Sequence, residues 1–454
     1  MEKRERIQLS DHFNYRRLLK FVLPPIVMMI FTSVYSIVDG FFVSYFDSGL
    51  PFAALNIIFP LIMIVASIGF MFGSGGSAVV AKQLGLGNEK RAKEIFSMVV
   101  YTTIIVGAVA SVLGICVCRP VSELLCKSEK NLTPEERALM VEYCVKYGRI
   151  ILTAMPAFML QNVFQSFFVT AEKPRLGLYV ILAAGCTNIL LDALLVPFFG
   201  LVGAATATAI SQTLGGVIPL FYFFRKNDSL LRLGKCKIEL RVLGGICING
   251  SSELMSNVSA SVVALLFNAQ LMKFMGYKGV SAYGIVMYIG FIFIAIFLGY
   301  AIGSAPIVGY NYGAQNEKEL KNIFKKSMIL MTCWGGVMTL VSILSAKLFA
   351  GAFSHGDSEL HQIATHAMRV YSFSFLFCGI NIFASAFFTA LSNGGVSALL
   401  SFLRMFLFQA VCVLVLPIFF KEEGIWASVV VAEAMAAITS FICFFALKKR
   451  YRYL

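Results

Sequence analysis

Charge is what this sequence has least of. Only 14% of its 454 residues are Asp, Glu, Lys or Arg, while 58% are hydrophobic, and the mean hydropathy is +0.80. A soluble domain carries about 25% charged residues. This chain has too few to cover a water-facing surface, which excludes a soluble globular protein. His occurs four times and never inside an apolar run beside an acid. No metal or nucleophile motif is present, so an enzyme site has no residues to stand on. The eleven Cys show no paired spacing and lie mostly in apolar stretches, as small buried hydrophobes do. The alternating ten-residue pattern of a membrane barrel is missing. So is a small-residue cleavage site near the start, and the first apolar run is expected to stay in the mature protein.

What is abundant is long apolar sequence, with 42 Phe that suit a lipid-facing surface. A span needs about 20 apolar residues. Twelve are read: 18–46, 52–81, 95–118, 147–171, 176–198, 200–224, 242–272, 280–310, 327–350, 367–391, 396–419 and 424–447. All are expected to be helices, because lipid offers no partner for an unpaired backbone group. Several exceed 25 residues, so tilt or protrusion into water is expected. The fold class is an all-α integral membrane protein.

The formal net charge of +14 follows from topology. With the N-terminus in the cytoplasm, twenty-six Lys and Arg fall on the inner side and eleven, Lys130 among them, on the outer side; Arg404 lies inside a span. That bias obeys the positive-inside rule and places both termini in the cytoplasm. It leaves no basic stripe for nucleic acid.

The chain repeats itself. NEKRAKEIF (88–96) matches NEKELKNIF (316–324) at offset 228, preceded by Gly73-Ser74 and Gly303-Ser304. NVFQSFFVTA (162–171) matches NIFASAFFTA (381–390) at offset 219, and Pro197 and Pro417 follow at offset 220. Two ordered matches six spans apart indicate duplicated halves in the same orientation, an arrangement in which transporters place substrate between halves. The expected segments are a cytoplasmic stretch 1–17, an N-lobe 18–224, a basic linker 225–241, a C-lobe 242–447 and a tail 448–454.

Acids inside spans cost about 2.5–3.5 kcal/mol each on insertion scales and mark function by default. Four stand well inside: Asp39, Asp192, Glu253 and Glu433. Asp39 and Asp192 lie late in two outward-running spans of one half, at matched depth. Tyr35 and Asn188 each precede one of them by a helical turn, and Thr206 and Thr208 follow the Pro197–Gly200 hairpin. Carboxylates, an amide oxygen and hydroxyls are ligands for a hard cation, and two neighbouring carboxylates can also hold a proton. The plainer alternative is a satisfied polar pair that joins helices. Glu253 has the weaker case, with a structural hydrogen bond as its alternative. Glu433 and Arg404 are expected to pair in a structural role. Pro24-Pro25 should kink the first span.

Taken in order, VYSIVDGFFVSYF, GFMFGSGGSAVVAKQLGLGNEKRA, TAEKPR, TNILLDALLVPFFGLVGAATATAIS and GSAPIVGYNYGAQN resemble the multidrug and toxic compound extrusion (MATE) family over essentially the whole chain. The resemblance implies two six-helix lobes in a V, working by alternating access. It implies export of bulky, often cationic organic compounds or drugs, driven by inward H⁺ or Na⁺ and needing no cofactor. It carries the coupling site onto Asp39, Asn188, Asp192 and Thr208, with Tyr35 beside the first acid and a bend at Pro24. A second-lobe acid of some members falls on Glu253, but the partner acid expected near 367–391 is absent. The implied setting is the inner (plasma) membrane, as a multi-pass monomer. A major-facilitator carrier would need an Asp-Arg pair that GLGNEKRAKE lacks. A lipid or lipid-linked saccharide flippase of the same two-lobed fold is the remaining alternative.

Overall fold

The computed structural model describes residues 7–46, 49–127, 133–354 and 357–454. Residues 1–6 of the expected N-terminal stretch, and Lys130 among the outer-side cations, lie outside the described residues. Among the described residues every regular element is helical. They are α1 (Tyr15–Phe46), α2 (Leu50–Gly85), α3 (Glu89–Cys126), α4 (Pro134–Thr153), α5 (Met155–Thr170), α6 (Pro174–Phe224), α7 (Leu240–Gly313), α8 (Glu317–Phe353), α9 (Ser358–Ser372), α10 (Phe375–Ala390), α11 (Gly394–Phe402) and α12 (Gln409–Tyr451). A π turn, Leu403–Phe408, joins the last two.

Seven of the helical stretches are long and apolar enough to cross a membrane. Two more spans are bent pairs, α4 with α5 at 55° and α9 with α10 at 51°. Gly200, Gly276 and Lys421 break α6, α7 and α12 internally. Split at these breaks, the stretches account for the twelve spans read from the sequence. The structure differs at residues 134–146, read as part of an outer loop. They are the start of α4, nucleated by Pro134 and a capping box in which Thr133 and Glu136 satisfy each other's backbone N–H. Their charges hid the helix from a hydropathy reading.

Left-handed residues expose the duplication at the level of turns. Gly49 pairs with Gly276, Gly87 with Gln315, Glu172 with Ser392 and Gly200 with Lys421, at offsets of 227, 228, 220 and 221. A positive φ strains a side chain with Cβ, so glycine is favoured at Gly200. Lys421 adopts the same conformation at φ 49°, a cost of about 1–2 kcal/mol that the matching turn imposes. Packing agrees. A Cβ on Gly203 would lie 2.5 Å from the Leu195 carbonyl oxygen, and one on Gly424 the same distance from that of Leu416. In this register Pro417 corresponds to Val196, one residue before Pro197.

The chain forms two compact units. One comprises 31–80 and 88–247; the other comprises 1–30, 81–87 and 248–454. Within the second, Gly299 and Gly303 of α7 seat the start of α1: their added Cβ atoms would meet Ile26 Cα at 2.4 Å and Val22 Cβ at 3.0 Å. This is a small-xxx-small contact between membrane helices. α1 runs through Pro24 and Pro25 as one helix. Within the first unit, aromatic Phe96, Phe164, Phe167, Phe168 and Phe223 interlock, with ring centroids 4.9–6.4 Å apart.

Candidate functional site

The first unit holds the acids. Gly185 of α6 has no side chain, so the aromatic face of α1 lies directly on it; a Cβ there would sit 2.5 Å from the Phe31 ring and 2.8 Å from that of Tyr35. This contact brings the C-terminal half of α1 alongside α6. The α6 helix then doubles back on itself at Gly200. Gly203 rests on Leu195–Val196 at the near end, and Ser211 Oγ donates to the Ala184 carbonyl at 2.8 Å further along. Between these two contacts, residue 208 stands level with residue 188.

The carboxyl groups of Asp39 and Asp192 come within hydrogen-bonding reach of each other. Two carboxyl groups so close repel each other when both are ionised. Asp39 Oδ1 and both oxygens of Asp192 are buried without a partner. So are Asn188 Nδ2 and Thr208 Oγ1. Asp192 and Asn188 are 0% and 1% exposed, whereas Asp39 and Thr208 are half-buried. Thr206, by contrast, donates its hydroxyl to the Val202 carbonyl at 2.8 Å, which turns it onto its own helix, whereas Thr208 Oγ1 is buried without a partner. A buried polar atom without a partner costs about 1–3 kcal/mol, more when charged. Several orphaned oxygens in one apolar place form a site that a proton or a hard cation completes. The donor set of two carboxylates, an amide and a hydroxyl fits Na⁺ as well as H⁺.

The family model for MatE matches residues 24–194 and 254–415, most of the chain. The chain belongs to the MatE family. It is 23% identical over 455 residues to the multidrug export protein MepA of Staphylococcus haemolyticus, covering 99% of this chain and 97% of that protein. It is 22% identical over 444 residues to MepA of Staphylococcus aureus (strain NCTC 8325), covering 96% and 94%. A crystal structure of MATE in complex with MaL6 shares the fold at a TM-score of 0.88, with 20% identity, over 96% of this chain and 98% of that one. The protein is therefore a multi-pass membrane transporter of the MatE family, and the enzyme reading falls.

Within this MatE fold two residues join the acids that sequence reading missed. Tyr147 of α4, 3% exposed, stands within electrostatic reach of both carboxylates. Gln161 of α5, 2% exposed, neighbours the Tyr35 hydroxyl, and Tyr35 in turn faces Asp39. The available signal was a polar residue on an apolar helix face, which is too common to single out. Glu253 sits on α7 in the other unit. Among the described residues no hydrogen bond or ion pair reaches its carboxyl, although its carbonyl accepts from Asn257 at 2.9 Å. Pro24 also belongs to that unit. Glu433 and Arg404 do pair there, at 2.8 Å.

Proposed function

We propose that this MatE protein exports bulky, often cationic organic compounds in exchange for H⁺ or Na⁺, by alternating access, as the multidrug-export names of its relatives suggest. The coupling ion would sit at Asp39, Asn188, Asp192 and Thr208, with Tyr35 beside it. The observation that carries this reading is the set of buried polar atoms of those residues that lack any partner. A transporter that must bind an ion on one side and release it on the other needs such an unsatisfied site. The moving bodies would be the lobes 18–224 and 242–447, with 18–30 and 81–87 carried by the second, joined by the linker 225–241, in the plasma membrane with both termini cytoplasmic; the working unit would be a monomer. A flippase would need a free deep cation for a phosphate, and Arg404 is already held by Glu433.

The test is export of ethidium from proteoliposomes with pH and Na⁺ gradients imposed separately. Export is expected to follow one or both gradients and to cease when they are dissipated. Export indifferent to both would refute the exchange mechanism, and flipping of a lipid-linked saccharide without drug export would favour the flippase.

A further inference from the structure

The unit without the acid pair has a polar centre of its own. Arg404 stands on the π turn, and its Nε donates to Glu433 Oε1 at 2.8 Å and Oε2 at 3.0 Å. Asn381 of α10 donates to Glu433 Oε2 at 2.7 Å and to the Glu433 carbonyl at 2.9 Å. Ser440 Oγ holds Asn381 Oδ1 at 3.1 Å, and Arg404 Nη2 reaches Cys378 Sγ at 3.2 Å. The side chains of Glu433 and Arg404 are 4% and 14% exposed. Tyr371 of α9 and Cys378 of α10 face the pair, and Tyr283 of α7 faces Tyr371. These three are ordinarily neutral near pH 7, so Arg404 supplies the positive charge opposite Glu433.

The duplication shows how this charge pair arose. Before the π turn the two halves run at an offset of 220, set by Glu172 and Ser392; after it they run at 221, set by Gly200 and Lys421. A π turn accommodates one extra residue in a helix, and here that turn carries Arg404. The later register places Glu433 opposite Gln212, and the earlier register of 220 places Asn381 opposite Gln161. Arg404 falls opposite Ala183 or Ala184, across the inserted residue. In the first half, then, the position holds two neutral amides, and Gln212 Oε1 and Gln161 Oε1 are buried without partners. In the second half an acid and an arginine stand there together. A buried acid in a membrane protein demands a cation, and the guanidinium meets that demand from within the chain.

We propose that Glu433 and Asn381 form a cation site in this unit which Arg404 fills as a tethered cation, leaving that centre no place for the exchanged ion. The second clause rests on the coupling site proposed at Asp39 and Asp192; the first does not.

The test uses the full-length purified protein carrying Asp39→Asn and Asp192→Asn, so that the proposed first-half site contributes no carboxylate. In that background Arg404→Ala leaves Glu433 without its cation. Its unfolding temperature is expected to rise with added Na⁺, or on acidification from about pH 8 to about pH 5. The rise should vanish in Arg404→Ala/Glu433→Gln. An Arg404→Ala protein indifferent to both ions, or a doubly neutral protein equally sensitive to them, overturns the cation site. Because an unpaired buried acid can prevent folding, a second arm uses Arg404→Ala/Glu433→Gln with Asp39 and Asp192 intact, which restores the neutral arrangement of the first half. Its gradient-driven export should stay within about twofold of the parent. Loss of gradient dependence would show that the pair takes part in coupling and overturn the proposal. Normal coupled export by Asp39→Asn alone would instead sink the first-half site, while leaving the thermal result for Arg404→Ala intact.

Discussion

At the scale of single residues, the contacts sort apparently similar groups into different roles. Asp39 and Asp192 face each other, and among the described residues Asp39 Oδ1 and both oxygens of Asp192 are buried without a partner. Two like charges at contact in an apolar medium repel strongly, and a shared proton or a cation relieves that repulsion. Asparagine keeps the shape of aspartate but takes up no proton and offers Na⁺ no full charge. Asp39→Asn and Asp192→Asn are each expected to lower gradient-driven export by at least about tenfold, and the double variant to fall little further, because groups acting as a unit are not additive. Vesicle export under a fixed gradient measures this; near-normal rates in Asp39→Asn, with loss only in Glu253→Gln, would move the coupling site to the other unit. The two threonines provide an internal control. Thr208→Ala and Asn188→Ala should weaken Na⁺ dependence more than H⁺ dependence, since both are neutral ligands. Thr206→Ala should change neither, because its hydroxyl is held against its own helix.

At the scale of elements, glycine decides where helices meet. Gly299 lets α7 approach α1 until a Cβ would overlap the Ile26 backbone at 2.4 Å. Backbone cannot give way as a flexible side chain does, so Gly299→Val is expected to reduce the yield of folded protein in the membrane severely, as size-exclusion chromatography would show. Pro24→Ala is a different case. Pro24 removes one backbone hydrogen-bond donor from α1 and weakens the helix at that turn. Its replacement is expected to leave folding intact and to slow transport, by making α1 harder to bend. Full transport rates in well-folded Pro24→Ala protein would make the proline passive.

At the scale of the whole molecule, the link between the repeated halves is docked. Lys173 holds Asp228 at 2.6 Å, Ser97 Oγ accepts from the Gly234 N–H at 3.0 Å, and Arg91 grips both oxygens of Glu239 at 2.7 Å. The Arg91 guanidinium keeps the Glu239 carboxyl below the usual carboxylate range. A lowered value means that this clamp holds at neutral pH and loosens only as pH falls through that value. The Lys and Arg distribution predicts a cytoplasmic linker, and on that prediction Lys235→Cys should react with a membrane-impermeant maleimide only in inside-out vesicles. Arg91→Ala should speed that reaction by freeing the linker. Labelling confined to right-side-out vesicles would invert the topology.

Much of this was written locally. Rare acids in apolar runs identify themselves, because lipid penalises them wherever they fall. The duplication is legible because NEKRAKEIF and NEKELKNIF open corresponding helices, and the left-handed turns obey the same offsets. The pairing of Arg404 with Glu433 was also within reach, since two opposite charges buried in one half have few alternatives. Other features needed the tertiary structure. The start of α4 was masked by its own charges. Tyr147 and Gln161 lie on helices distant in sequence from Asp39, and which face of α4 or α5 turns toward α1 is set by helix crossings, not by local pattern. Thr206 and Thr208 read alike in GAATATA, and only the doubling back of α6 at Gly200 separates them, because the level of each hydroxyl against Asn188 is fixed by packing between the limbs.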